Sequence, residues 1–265
     1  MDLFYRQLGE GHPLIIIHGL YGSSDNWMSI GKILAEKYQV FLIDQRNHGE
    51  SGHHDEHNYP AMREDLKDFM DKHNLQKATL LGHSMGGKTA IYFAAEYPER
   101  VERLIVVDIS PCSYKDADSF QTKTHTQIIN ALQSINLNTL KSRSEADKQL
   151  SEYIQQKRIR QFLLKNLYRN EEKEFRWKLN LPVLKKHLSE TMDGFTADTV
   201  EKDVTGFPVL FIRGEESDYI QEKDIEATKK LFPMAEIVSI PNAGHWVHAE
   251  QPDAFLKAVN TFLED

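Results

Sequence analysis

Cysteine is nearly absent. Cys112 stands alone in 265 residues, so an intramolecular disulfide is excluded and a reducing compartment is expected. No apolar run reaches the roughly 18 residues that a membrane-spanning helix needs. The first residues, MDLFYRQLGE, have no basic start, apolar middle or small-residue cleavage site, so a secretory leader is not predicted and a cytoplasmic location is expected. Positive charge is in deficit: 32 Lys and Arg against 40 Asp and Glu leave a net charge of -8, which argues against nucleic acid as a partner. Internal repeats and low-complexity tracts are lacking too.

The deficit is uneven. Residues 119–186 hold 14 basic and 6 acidic side chains, a local surplus that reads either as a solvated face of helices or as a basic lid over a site for anionic substrates. Elsewhere, short β-rich apolar runs alternate with helical candidates, as in an α/β protein with a mostly parallel sheet. The runs are Leu14–His18, Val40–Asp44, Ala78–Gly82, Leu104–Asp108, Val209–Arg213 and Glu236–Ile240. They are nearly continuous in apolar character, which predicts strands covered by helices on both faces. Asp2–Leu8 alternates more and predicts an antiparallel edge strand.

The helical candidates are Asp25–Tyr38, Ala61–His73, Gly86–Tyr97, Glu222–Phe232 and Pro252–Leu263, the third stopped by Pro98. The alternation breaks off near residue 114 and resumes near 204. Between them Ile128, Ile129, Leu132 and Ile135 keep helical spacing, as do Ile159, Phe162, Leu163 and Leu167, and no strand is evident. So long a stretch is no loop. It predicts a helical cap insertion, residues 114–203, on a core made of 1–113 and 204–265.

The stretch ATLLGHSMGGKTA (78–90) carries the chemistry. An apolar run enters Gly82-His83-Ser84-Met85-Gly86 and a helix-forming segment leaves it, the strand–turn–helix setting of a G-x-S-x-G nucleophile elbow. The sharp turn strains Ser84 and lifts its hydroxyl clear, while the flanking glycines let neighbouring chain pass. Gly82 to Thr89 also satisfies the P-loop pattern G-x-x-x-x-G-K-[ST]. A P-loop enzyme needs an acidic magnesium ligand on another strand, and its loop usually follows an early strand; neither is indicated here.

The hydrolase reading predicts three partners, and all are present. The tetrahedral anion of acyl transfer needs two preset N–H donors. These are assigned to Met85, after the nucleophile, and to Leu20 in the loop His18-Gly19-Leu20-Tyr21-Gly22. A general base is supplied by His245, in Gly244-His245-Trp246-Val247-His248 after the last strand; His248 is expected to pack beneath that loop. For the acid, Asp108 and Asp218 both end strands in the order Ser, Asp, His, and spacing alone does not choose between them.

The landmarks His18-Gly19, Asp44-x-Arg46-x-x-Gly49-x-Ser51, Gly82 to Gly87 and Gly244-His245 resemble those of the α/β-hydrolase superfamily. A narrower resemblance, to the YbfF-type esterases, rests on HGLYGSSDNW (18–27), RNHGES (46–51), NYPAM (58–62), GHSMGGK (82–88), VDISP (107–111), QFLLKNL (161–167), FRWKLNLPVL (175–184) and GHWVHAE (244–250). It spans nearly the whole chain. The resemblance implies Asp108 as the acid, with Asp218 the alternative. It also implies hydrolysis of short- to medium-chain acyl esters, with acyl-CoA thioesters a further candidate class. No metal or organic cofactor is called for.

Phe162, Trp177 and Leu181 are the expected pocket residues of the insertion. His48, His53, His54 and His57 match no tight metal-ligand spacing and are expected in a flexible polar loop. Asp44 and Arg46 are expected to brace loops, and Cys112 to be a packed thiol. C–C bond hydrolases, lipases and perhydrolases share such a fold, as do non-catalytic receptors. Oligomeric state is not legible from sequence.

Overall fold

The computed structural model describes residues 1–195 and 204–264. Its strands in chain order are β1 (Tyr5–Leu8), β2 (His12–Ile17), β3 (Tyr38–Ile43), β4 (Ala78–His83), β5 (Val101–Val107), β6 (Leu167–Arg169), β7 (Phe175–Trp177), β8 (Val209–Gly214) and β9 (Glu236–Ile240). Seven of them form one sheet in the order β1-β3-β2-β4-β5-β8-β9. β1 runs antiparallel to β3 at one edge, and the other pairings of this sheet are parallel. The architecture is therefore the mostly parallel α/β sheet anticipated from the alternation of runs, and it fits the α/β-hydrolase fold that the motif resemblance implies.

The helices are α1 (Met28–Leu34), α2 (Tyr59–Lys72), α3 (Met85–Glu96), α4 (Phe120–Ser134), α5 (Arg143–Ser151), α6 (Lys157–Leu164), α7 (Leu181–Lys186), α8 (Leu188–Thr191), α9 (Glu222–Leu231), α10 (Val247–Glu250) and α11 (Pro252–Glu264). β2 shows why its run is apolar throughout. Leu14 and Ile16 join a cluster with Ile30 of α1 and Val259 of α11. Ile15 and Ile17 face the opposite cluster, with Leu66 of α2 and Ile91 of α3. Period-two alternation thus feeds two cores at once, each buried aliphatic side chain contributing about 1.5–3 kcal/mol.

Local signals set the boundaries. Asn58 caps α2 by accepting from the N–H of Ala61, with Pro60 in the first turn, and Ser119 caps α4 by accepting from Thr122. The expected helix Asp25–Tyr38 is a correction: a 3-10 turn over Ser24–Trp27 precedes α1, and Tyr38 already pairs with His12 at the start of β3. Sheet pairing takes its last residue.

The segment between β5 and β8 holds α4–α8, but it is not all helix. β6 and β7 form an antiparallel hairpin there, which corrects the all-helical expectation. Its turn contains neither Gly nor Pro. Asn170 organises it instead, accepting at Oδ1 from the N–H of Glu174 (2.8 Å), with Lys173 at φ 63°. Leu167 consequently belongs to β6, although it continues the helical spacing of α6. The expected boundary at residue 203 lies outside the described residues. The two connections to the sheet run side by side, Tyr114 donating to Met192 (2.8 Å) and Phe195 to Pro111 (2.7 Å).

Candidate active site

β2 feeds β3 on one side of it and β4 lies on the other, so the loops leaving the carboxyl ends of β2 and β4 part around a crevice. Ligands of open α/β sheets bind at such a switch point. The β2 loop brings Gly19 and Leu20 there, and the β4 turn brings Ser84.

Ser84 has φ 54° and ψ -121°, outside the regions an L residue ordinarily occupies. The turn is held by Ser84 N–H donating to Val107 (3.0 Å) and by the N–H of Lys88 donating to the Ser84 carbonyl (3.1 Å). Its glycines are sterically required: a Cβ on Gly82 would lie 2.3 Å from the Gly86 carbonyl oxygen, and one on Gly86 would lie 2.3 Å from that of Ile17. This close approach is the reason for G-x-S-x-G. The N–H groups of Leu20 and Met85, which flank the nucleophile, have no backbone acceptor among the described residues.

His245 follows β9 and points back at the turn. Its Nε2 lies 3.0 Å from Ser84 Oγ, and its Nδ1–H donates to Asp108 Oδ2 at 2.7 Å. Asp108 directly follows β5 at φ 49° and is wholly buried. Its Oδ1 accepts from the N–H of Gly214 (2.9 Å), and the Ser217 hydroxyl donates to Oδ2. Burial pushes the Asp108 carboxyl up and the His245 imidazole down, each toward its neutral form. Asp218 goes elsewhere. It is exposed, and its carbonyl accepts from Gln121 (2.9 Å).

Further residues hold this arrangement and carry little sequence signal. His83 Nε2–H donates to the His245 carbonyl (2.8 Å), and the Tyr219 ring stacks on His245 at 3.9 Å. Glu250 accepts from the N–H of Gly244 (2.7 Å), six residues away in the GHWVHAE run. His248, expected to pack beneath the loop, is buried and stacks on Trp27 at 3.9 Å, at the wall of the cavity.

The histidines after β3 need a correction. His53 and His54 are exposed, but His48 and His57 are fully buried. His48 Nε2 accepts from the N–H of Tyr21 (3.2 Å) and His18 Nε2 from that of Gln45 (3.0 Å), so the rings brace the loop that carries Leu20. Both roles require an unprotonated nitrogen, and burial lowers their pKa to about 3 for His48 and about 4 for His18. Asp44 accepts from the N–H groups of Ser24 and Glu50, and Arg46 pairs with buried Asp65 (2.6 Å). These two side chains brace loops.

A cavity of ≈ 170 Å³ opens beside Ser84 and His245, walled by Ile128, Phe162, Leu163, Tyr219 and Trp246. Its lining is overwhelmingly apolar. Phe162 therefore reaches the site, whereas Trp177 and Leu181 do not line it: Trp177 ends β7 half-buried, and Leu181 is packed in the core at the start of α7. A neighbouring groove carries Arg158 and Lys165 beside Trp246. Cys112 is half-buried. Its carbonyl accepts from Lys88 Nζ (2.9 Å), which also donates to the Asp193 carbonyl, one acceptor from each connection to the sheet. Burial lowers the Lys88 pKa to about 7. The lysine of the phosphate-loop pattern thus faces the protein interior.

Residues 12–252 match the model of the α/β-hydrolase fold family. The chain belongs to that family. Several relatives in it are named esterase or lipase, and the chain is a hydrolase of that kind. It is 38% identical over 256 residues to the sn-1-specific diacylglycerol lipase ABHD11 of Mus musculus, covering 94% of this chain and 80% of that protein. With the esterase YbfF of Escherichia coli it shares 33% identity over 253 residues, 96% of this chain and 93% of the relative. The solved structure of a marine microorganism esterase superposes with a TM-score of 0.95 at 48% identity, covering 98% of this chain and 99% of that one. Among the described residues, no helix is long and apolar enough to cross a membrane.

Proposed function

We propose that the chain hydrolyses short- to medium-chain acyl esters through a Ser84–His245–Asp108 triad and an acyl-enzyme. The observation that supports this most is the continuous contact from Ser84 Oγ to His245 and on to Asp108, opening onto an apolar cavity. His245 Nε2 takes the proton of Ser84 as Oγ attacks the acyl carbon. The N–H groups of Leu20 and Met85 receive the oxyanion, a contribution worth about 3–4 kcal/mol per donor in comparable sites. His245 then returns the proton to the departing alcohol. Water, deprotonated by the same imidazole, attacks the acyl-enzyme and releases the acid. Asp108 holds the tautomer with the proton on Nδ1.

The segment 114–203 serves as the cap in this reading, and Phe162 and Ile128 contact the acyl chain. Neutral esters suit the cavity, in line with relatives named as diacylglycerol lipases. The Arg158 and Lys165 groove favours a second substrate class, thioesters of an anionic acyl carrier such as acyl-CoA. A panel of acyl esters and acyl-CoA thioesters of increasing chain length, run with native protein and Ser84→Ala, tests the proposal. Turnover by the native protein and none by the variant is expected; equal turnover would refute it. For the thioester class, added salt should raise KM for acyl-CoA and spare a neutral ester. Equal effects would remove that class.

A further inference from the structure

Asp108 must be a carboxylate to hold His245 in the working tautomer and to stabilise the imidazolium that forms during attack. Its surroundings oppose this. The side chain has no exposure, and its only ion-pair partner among the described residues is His245 itself. A buried carboxylate so placed takes up a proton unless hydrogen-bond donors offset its desolvation. The charged and titratable groups facing it are His83 from β4, Arg213 from β8, His245 and the Tyr219 ring. None of them besides His245 donates to it. The direct donors are the Gly214 N–H and the Ser217 hydroxyl, both from the loop after β8.

Ser217 is oriented for this role. Its Oγ accepts from the N–H of Tyr219 (3.3 Å), its own N–H donates to the Gly214 carbonyl (3.2 Å), and its hydroxyl proton is left to point at Asp108 Oδ2. That oxygen is the one that receives His245 Nδ1–H. The loop that carries the rival acid Asp218 therefore sends a neutral donor to the acid on the neighbouring strand.

We infer that Ser217 is a positioning residue, whose hydroxyl keeps the Asp108 carboxyl ionised and aimed at His245. This rests on the triad reading. Loss of the hydroxyl makes it harder to remove the last proton shared by the Asp108–His245 pair, so the active form appears at higher pH.

The test compares pH profiles of kcat/KM for native protein, Ser217→Ala, Ser217→Thr and Asp108→Asn with one neutral ester, alongside their Tm. For Ser217→Ala, kcat should fall about tenfold with KM within about twofold, as for loss of a hydrogen bond to a charged group. The acid limb should move up by about one pH unit, and Ser217→Thr, which keeps the hydroxyl, should restore both. A merely structural serine would change Tm without moving the limb. A Ser217→Ala profile superimposable on the native one, with Asp108→Asn inactive, overturns this inference and spares the triad. An Asp108→Asn variant of native activity overturns both.

Discussion

The sheet and the segment between β5 and β8 meet at Ser84, and they build their shares of the site differently. From the sheet, each group of the proposed mechanism arrives at the carboxyl end of a strand: Leu20 after β2, Ser84 after β4, Asp108 after β5 and His245 after β9. Backbone pairing fixes those ends, so glycine spacing and chain order locate the groups. The other segment offers side chains from helix faces, and which of them overlook the cavity depends on how helices pack. Phe162 on α6 does, and Trp177 on the β6–β7 hairpin does not. In the proposed mechanism, chemistry belongs to the strand ends and selectivity to helix packing.

The contrast is broken most severely at Asp108. Asp108→Asn is expected to lower kcat by about 10³–10⁴-fold, the scale seen when a triad loses its acid, and Asp218→Asn to stay within about twofold. A collapse with Asp218→Asn alone would move the acid to the neighbouring loop. Acidification attacks the bracing as well as the chemistry. His18, His48 and His83 are buried and neutral, with pKa values lowered by burial to about 4, 3 and 3. Unfolded, each binds a proton near the ordinary 6.5, so the unfolded chain holds more protons below that pH. The stability they contribute is present above 6.5 and is lost as pH falls toward 4, at up to about 1.4 kcal/mol per pH unit for each ring. Thermal melts between pH 7 and 4 should show the fall, and a flat Tm would contradict it.

At the junction, Lys88→Met strips a donor from the Cys112 and Asp193 carbonyls and should cost about 2 kcal/mol in urea unfolding. Unchanged stability would mean the two connections need no pin. The smallest expected effect separates two aromatics of the segment between β5 and β8, Phe162 on α6 and Trp177 on β7. Phe162→Ala should raise KM for a medium-chain ester about fivefold through lost apolar contact while sparing an acetate ester, and Trp177→Ala should leave KM unchanged. Equal shifts in both would erase the distinction between cavity wall and hairpin.

The same contrast explains what was legible in the sequence. Strand runs, the elbow glycines and the helix stop at Pro98 are local signals, and the structure repeats them to within a few residues. The β6–β7 hairpin was not legible, because three-residue strands are too short to show alternation and Asn170 shapes the turn in place of glycine. Nor was the burial of His48 and His57, since a polar loop looks alike in sequence whether it is solvated or folded back on the core. Asp108 and Asp218 could not be separated by spacing because both follow strands. Only the direction in which the β8 loop turns its side chains distinguishes Ser217 and Asp218.

In the proposed mechanism the sheet's carboxyl edge presents one activated serine. The measurement that addresses it most directly is labelling with a fluorophosphonate, read by intact mass and peptide mapping on native protein, Ser84→Ala and His245→Ala. A single adduct on Ser84, absent from Ser84→Ala and strongly slowed in His245→Ala, is the expected result. No adduct on the native protein, or one that survives Ser84→Ala, would contradict the claim.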